Sequence, residues 1–135
     1  MEGRCHCGRV TIRVPGPPDY LNECNCTLCW RLGTMWGYYP ASEVEFAGER
    51  QAYARSDLGE QRLAADFCPH CGATTNWRAL LPDAPDRMGV NMKLFDPAAL
   101  AGIELRSGDR LNGDGSGPRR TYREAAPFDG AGARS

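Results

Sequence analysis

No stretch of this chain is apolar for long enough to cross a bilayer, no run of basic residues breaks its charge pattern, and neither an internal repeat nor a long helical periodicity runs through it. The first absence argues against a membrane-spanning helix. The second, with 16 Lys and Arg against 17 Asp and Glu for a formal net charge of -1, removes the electrostatic footprint that nucleic acid or an anionic membrane would need, so neither partner is expected. The third leaves short strands as the building units. The N-terminus runs from Met1 straight into a cysteine pair at Cys5 without the charged and then apolar regions of a leader peptide, and a soluble, cytoplasmic protein is expected. A length of 135 residues suits one domain with its own core. Oligomeric state has no signature in the sequence.

What is present is cysteine. The seven cysteines fall into Cys5-x-Cys7, the triplet Cys24-Asn25-Cys26-Thr27-Leu28-Cys29, and Cys68-Pro69-His70-Cys71 followed by Gly72. An odd number cannot pair fully as disulfides within one chain, and in a reducing compartment such spacings point to metal or redox chemistry. Cys68-x-x-Cys71-Gly72 has the form of a zinc knuckle, with the glycine giving the backbone its tight turn. The alternative is a redox dithiol, which would need alternating strands and helices around it. Cys5 and Cys7, two apart at the start of a strand, supply the other half of a closed four-thiolate site.

That assignment leaves Cys24, Cys26 and Cys29. A structural zinc site closes with four protein ligands, whereas a catalytic one keeps three and an open position. His6 and His70 are the only histidines, and strand alternation turns His6 away from its flanking cysteines. Three thiolates leave a bound zinc at net -1, which favours a further sulfur ligand and so a small-molecule thiol as substrate. Two other readings stand: a distant carboxylate completes the triplet, or it holds no metal and is a set of reduced thiols.

The rest of the chain reads as mainly β. Val10, Ile12 and Val14 alternate with polar residues until Pro15-Gly16-Pro17-Pro18, and Thr34–Tyr39 and Val44–Phe46 form further strands. Gln51–Ser56 and Glu60–Phe67 make a hairpin through Asp57-Leu58-Gly59. Ala73–Leu80 follows the knuckle, and Met88, Val90, Met92 and Leu94 carry the clearest two-residue period. Two short helices are expected, one capped at Thr27 and stopped at Gly33, the other started by Asp96 and Pro97. The division is a zinc-binding β domain over 1–106 and a Gly/Arg-rich tail over 107–135, expected to be loose in large part. Its aromatic anchors are Tyr122 and Phe128. Trp30, Trp36, Tyr38, Tyr39 and Trp77 could wall a pocket or fill the core. Asp66 and Glu23, near ligand cysteines in sequence, are candidates for a base. Arg31 could hold a substrate carboxylate through its planar fork, or it is a solvated charge.

Three linked pieces, Gly3–Val10, Cys24–Gly33 and Phe67–Gly72, resemble the glutathione-dependent formaldehyde-activating enzyme family, which also includes centromere protein V. The likeness runs from about Gly3 to Asp96. It implies folded-over antiparallel sheets with two zincs, a structural one on Cys5, Cys7, Cys68 and Cys71 and a catalytic one on Cys24, Cys26 and Cys29. The implied activity is that of a carbon-sulfur lyase in which glutathione and formaldehyde combine as S-hydroxymethylglutathione. The centromere member suggests a second possibility, a zinc-stabilised binding module without turnover, and the triplet chemistry allows a third, a thiol redox sensor. The family triplet usually carries His between its first two cysteines and Arg after the last. Here those places hold Asn25 and Trp30, which with Arg31 are the candidate substrate contacts.

Overall fold

The computed structural model describes residues 1–108 and 119–121. It is mainly β, with two sheets, one short α-helix and a few 3-10 turns. The smaller sheet joins β1 (Glu2–Arg4), β2 (Thr11–Arg13) and β5 (Glu45–Ala47), with β2 in the centre. Val10, Ile12 and Val14 are all buried there, as the alternation requires.

The larger sheet has the order β11-β10-β3-β4-β9-β8-β7-β6. Its strands are β3 (Leu21–Cys24), β4 (Trp36–Tyr39), β6 (Gln51–Ala54), β7 (Leu63–Phe67), β8 (Thr74–Ala79), β9 (Met88–Asn91), β10 (Glu104–Gly108) and β11 (Arg119–Thr121). Helix α1 (Thr27–Leu32) lies between β3 and β4. All neighbours in this sheet are antiparallel except β3 and β10, which pair in parallel with Leu21 opposite Leu105. Ile12, Leu21, Met35, Tyr39, Val90, Met92, Phe95 and Leu105 meet in one core cluster that draws on both sheets.

The alternating run from Met88 to Leu94 does not stay a strand. It is strand to Asn91 and a 3-10 turn from Met92 to Leu94. Asn91 causes the change: its Oδ1 accepts from Lys93 N at 3.2 Å while its Nδ2 donates to Thr74 O at 2.9 Å, replacing ladder bonds with side-chain bonds. The helix expected after Asp96 is one 3-10 turn, Pro97–Leu100, capped by Asp96 Oδ1 on Ala98 N. Of the segment from 107 onward, 107–108 and 119–121 pair in strands. The rest, Tyr122 and Phe128 included, lies outside the described residues.

Period two then sorts the large sheet into faces. Asn22 and Cys24 of β3, Trp36 and Tyr38 of β4, Trp77 of β8, and Leu63 and Ala65 of β7 share the face away from the core cluster. Gly89 of β9 pairs with both Tyr38 and Trp77. A Cβ there would run into the Trp77 indole, so glycine is what lets the aromatic rings lie across the middle strand.

Candidate metal centres and the cavity beside them

Two backbone turns of the same form carry the first cysteine group. Cys5 N bonds to Val10 O at 3.0 Å, and Cys68 N bonds to Ala73 O at 3.0 Å. Gly8 (φ 80°) and Gly72 (φ 77°) take the left-handed conformation that each turn needs. The Sγ atoms of Cys5, Cys7, Cys68 and Cys71 all lie within 4.8 Å of one another. Cys7 Sγ stands 3.6 Å from Cys5 Sγ and 3.7 Å from Cys68 Sγ. Tetrahedral zinc with ~2.3 Å bonds sets its sulfurs about 3.8 Å apart, so the group has the dimensions of a closed four-thiolate site. Backbone N–H groups of Ala73 and Cys7 hold the Cys71 thiol down to about 6, already favouring the thiolate a metal needs.

The second group is built where β3 turns into α1. Cys24 ends the strand, and Cys26 rather than Thr27 caps the helix, its Sγ accepting from Cys29 N at 3.3 Å. Sulfur takes the capping role because the ligand cluster holds it over the first turn. Gly33, with φ 67°, stops the helix as its position suggested. Cys24, Cys26 and Cys29 place their sulfurs within 4.8 Å of one another, and among the described residues no histidine or carboxylate joins either group. Both histidines are exposed.

Polar hydrogens converge on these three sulfurs. Cys26 N approaches Cys24 Sγ at 3.4 Å, Trp36 Nε1 donates to Cys29 Sγ at 3.3 Å, and Arg55 Nη1 comes within 3.9 Å of Cys26 Sγ. The neighbouring Cys24 thiol, together with burial, pushes Cys29 well above the usual thiol range. A cation held among the three sulfurs would relieve this opposition to ionising Cys29. A donor set of three sulfurs, each already receiving an N–H, fits a thiophilic metal such as zinc.

The triplet opens onto a cavity of about 430 Å³. The sheet face described above is its floor, Leu28, Cys29 and Leu32 of α1 form its roof, and Arg55 enters from the end of β6. Among the described residues Tyr38 supplies the cavity's one hydroxyl, which accepts from Asn22 Nδ2 at 2.7 Å and whose ionisation burial pushes up, so it stays a proton donor. Thr27, Leu28, Arg31, Tyr53 and Asp57 line a separate groove on the outside of the helix.

A model of the family described as glutathione-dependent formaldehyde-activating enzyme matches residues 1–104. The chain belongs to this family. A Halomonas elongata protein, provisionally named as a glutathione-dependent formaldehyde-activating enzyme, is 44% identical over 39 residues, which are 28% of this chain. The chain thus spans only 25% of the length of that curated relative. The crystal structure of a Rhodobacter sphaeroides protein superposes with a TM-score of 0.59 at 26% identity, covering 71% of this chain and 88% of that one.

Within this family member the residues singled out from sequence part company. Cys24, Cys26 and Cys29 come together at the cavity, as do Trp36, Tyr38 and Trp77. Tyr39 points to the opposite face, where its hydroxyl donates to Gly16 O at 2.8 Å and its ring joins the core. Trp30 is 73% exposed and Arg31 donates to Thr27 O along the outer side of α1. Neither they nor Asn25 line the cavity. Asp66 faces away from the cavity next to Ala65, with its carboxylate taken up by Arg50 (3.3 Å), Arg78 (3.0 Å) and Asn76 (2.9 Å). These three contacts tie the carboxylate into the sheet, away from the cavity. Glu23 is not a cavity residue either. Sequence reasoning passed over Arg55, whose only local signal is Asp57 two positions on, a spacing that ordinarily marks nothing beyond a turn.

Proposed function

We propose that the chain is a zinc-dependent carbon-sulfur lyase acting on a thiol-aldehyde adduct such as S-hydroxymethylglutathione, with the structural zinc on Cys5, Cys7, Cys68 and Cys71 and the catalytic one on Cys24, Cys26 and Cys29. The observation that carries this reading is the three-sulfur group at the mouth of a mostly apolar cavity, with no fourth protein ligand among the described residues. Family membership supports it through the activity the family is named for. Zinc held by the triplet would supply a Lewis acid with one position free for a thiol sulfur in its anionic form.

In the forward direction the sulfur lone pair forms the C–S bond to formaldehyde, the C=O π pair moves onto oxygen, and the thiol proton ends on that oxygen. In reverse the C–S bond breaks and formaldehyde leaves. The chain's own groups serve each part. Trp36 Nε1 and the backbone N–H groups of Cys26 and Cys29 fix the three sulfurs that would hold the metal at the edge of the cavity. The indoles and leucines keep water from the reacting atoms. Tyr38 Oη can relay that proton, giving its own to the adduct oxygen while the proton released by the thiol restores its hydroxyl. Asn25, Trp30 and Arg31 are left for parts of the substrate that reach beyond the cavity.

The test is glutathione-dependent consumption of formaldehyde by zinc-loaded protein, followed by NMR. A rate above the uncatalysed one is expected, abolished in Cys26→Ser and lowered about a hundredfold or more in Tyr38→Phe. No excess rate, with Cys26→Ser unchanged, removes the enzyme claim. The closeness of the triplet sulfurs also suits a thiol redox sensor, which would bind one zinc per chain and leave three titratable thiols where the lyase binds two zincs.

A further inference from the structure

Among the described residues that line the cavity, Arg55 is, apart from the cysteines, the only one that carries a formal charge. Its side chain is 14% exposed and tied at three points. Nε donates to Asp57 Oδ1 at 2.6 Å, and Nη2 donates to Asp57 Oδ2 at 3.0 Å and to Thr27 Oγ1 at 3.1 Å. That leaves Nη1, whose contact is the long one of 3.9 Å to Cys26 Sγ. The fork is thus fixed in place on one edge with its other edge toward the triplet.

The electrostatics give this placement a purpose. Three thiolates around zinc carry a net negative charge, so an anionic thiol approaching them would be repelled. Asp57 neutralises Arg55 only in part, because its carboxylate is half in water while the guanidinium is turned inward. An arginine already immobilised by its own hydrogen bonds also loses little entropy when it takes one more acceptor. A carboxylate oxygen about 2.9 Å from Nη1 would sit a few bonds from a sulfur bound beside Cys26. Building on the lyase reading, we propose that Arg55 is the specificity-determining residue of the cavity. It selects thiols and thiol adducts that carry a carboxylate a few bonds from the sulfur over neutral thiols of the same size.

The experiment compares 3-mercaptopropionate with its neutral amide on zinc-loaded protein, reading dissociation constants from the fluorescence of Trp36 and Trp77. Wild type is expected to bind the acid at least tenfold more tightly. Arg55→Gln should lose most of that preference while the amide stays within about twofold and two zincs per chain are kept. Should Arg55→Gln lose its triplet zinc, Arg55→Lys decides: a surviving acid preference supports the proposal and equal affinities overturn it. Acid and amide weakening together, or neither changing, in zinc-bound Arg55→Gln also overturns it. Binding is read without turnover, so a protein that prefers the acid yet makes no adduct refutes the lyase reading alone. One that turns over acid and amide adducts with equal kcat/KM refutes this inference alone.

Discussion

Replacing Trp36 by Phe should loosen the metal at the triplet and leave the four-cysteine site alone. Trp36 is 2% exposed, and its Nε1–H points at Cys29 Sγ from 3.3 Å. A hydrogen bond to a charged acceptor is worth ~1.5–3 kcal/mol, about one to two powers of ten in an equilibrium constant. Losses of orienting partners around metal ligands fall in the same range, about 10- to 100-fold in affinity. Phenylalanine keeps most of the ring's packing, so the fold should lose no more than about 1–2 kcal/mol. The assay is competition with a chelator of known affinity: the first zinc should leave the variant 10- to 100-fold more readily while the second leaves as in wild type. Superimposable release curves would refute the reasoning, since the indole N–H would then contribute nothing to the site. Equal loosening of both zincs would refute it too, by showing general destabilisation in place of a local bond.

Cys71→Ala should abolish the cooperative thermal transition followed by circular dichroism, because metal binding at such a site is worth ~10 kcal/mol or more, comparable with the whole stability of a domain; an unchanged melting curve would contradict the structural assignment. Asp66→Asn should lower unfolding free energy in urea by about 1–3 kcal/mol, a range kept modest because Arg50 and Arg78 are partly solvated, and should leave turnover intact. A loss of turnover without a loss of stability would restore Asp66 as a catalytic group. The Arg55 guanidinium holds Asp57 at about 2, below the 3.8 of a free carboxylate. With the folded value depressed, the brace among Asp57, Arg55 and Thr27 contributes in full above pH 3.8 and is lost as pH falls through about 2. A carboxyl-carbon NMR titration of Asp57 with a midpoint near 4 would show that the pairing is absent in solution.

Cysteine spacing was the most legible part of the chain because ligand geometry is local. Cys-x-x-Cys-Gly on a turn fixes two sulfurs before any tertiary fold is known; Cys5-x-Cys7, expected at the start of a strand, sits instead in a turn after β1, and Cys24-x-Cys26 leaves the end of β3, yet both groups assemble. Strand alternation served equally well for Val10, Ile12 and Val14, all buried, although Val10 packs beside Cys5 and Cys68 while Ile12 and Val14 enter the main core. It misled between Asn91 and Leu94, where one side chain bonds to the backbone on two sides and ends the strand while the apolar rhythm continues. The parallel joining of β3 and β10 was beyond reach, since the pairing spans most of the chain and Leu105 carries no mark of its partner Leu21. Arg55 was hidden for the same reason: nothing near it in sequence says that the end of β6 hangs over the start of α1, 28 residues away.

Zinc K-edge X-ray absorption on the two-zinc protein, before and after addition of glutathione, addresses the open triplet most directly. One four-thiolate and one three-thiolate site average about 3.5 sulfurs per zinc, the balance being light atoms. On binding the thiol the average should rise to about four. Four sulfurs per zinc without glutathione, or no change when it is added, would contradict an open site on Cys24, Cys26 and Cys29.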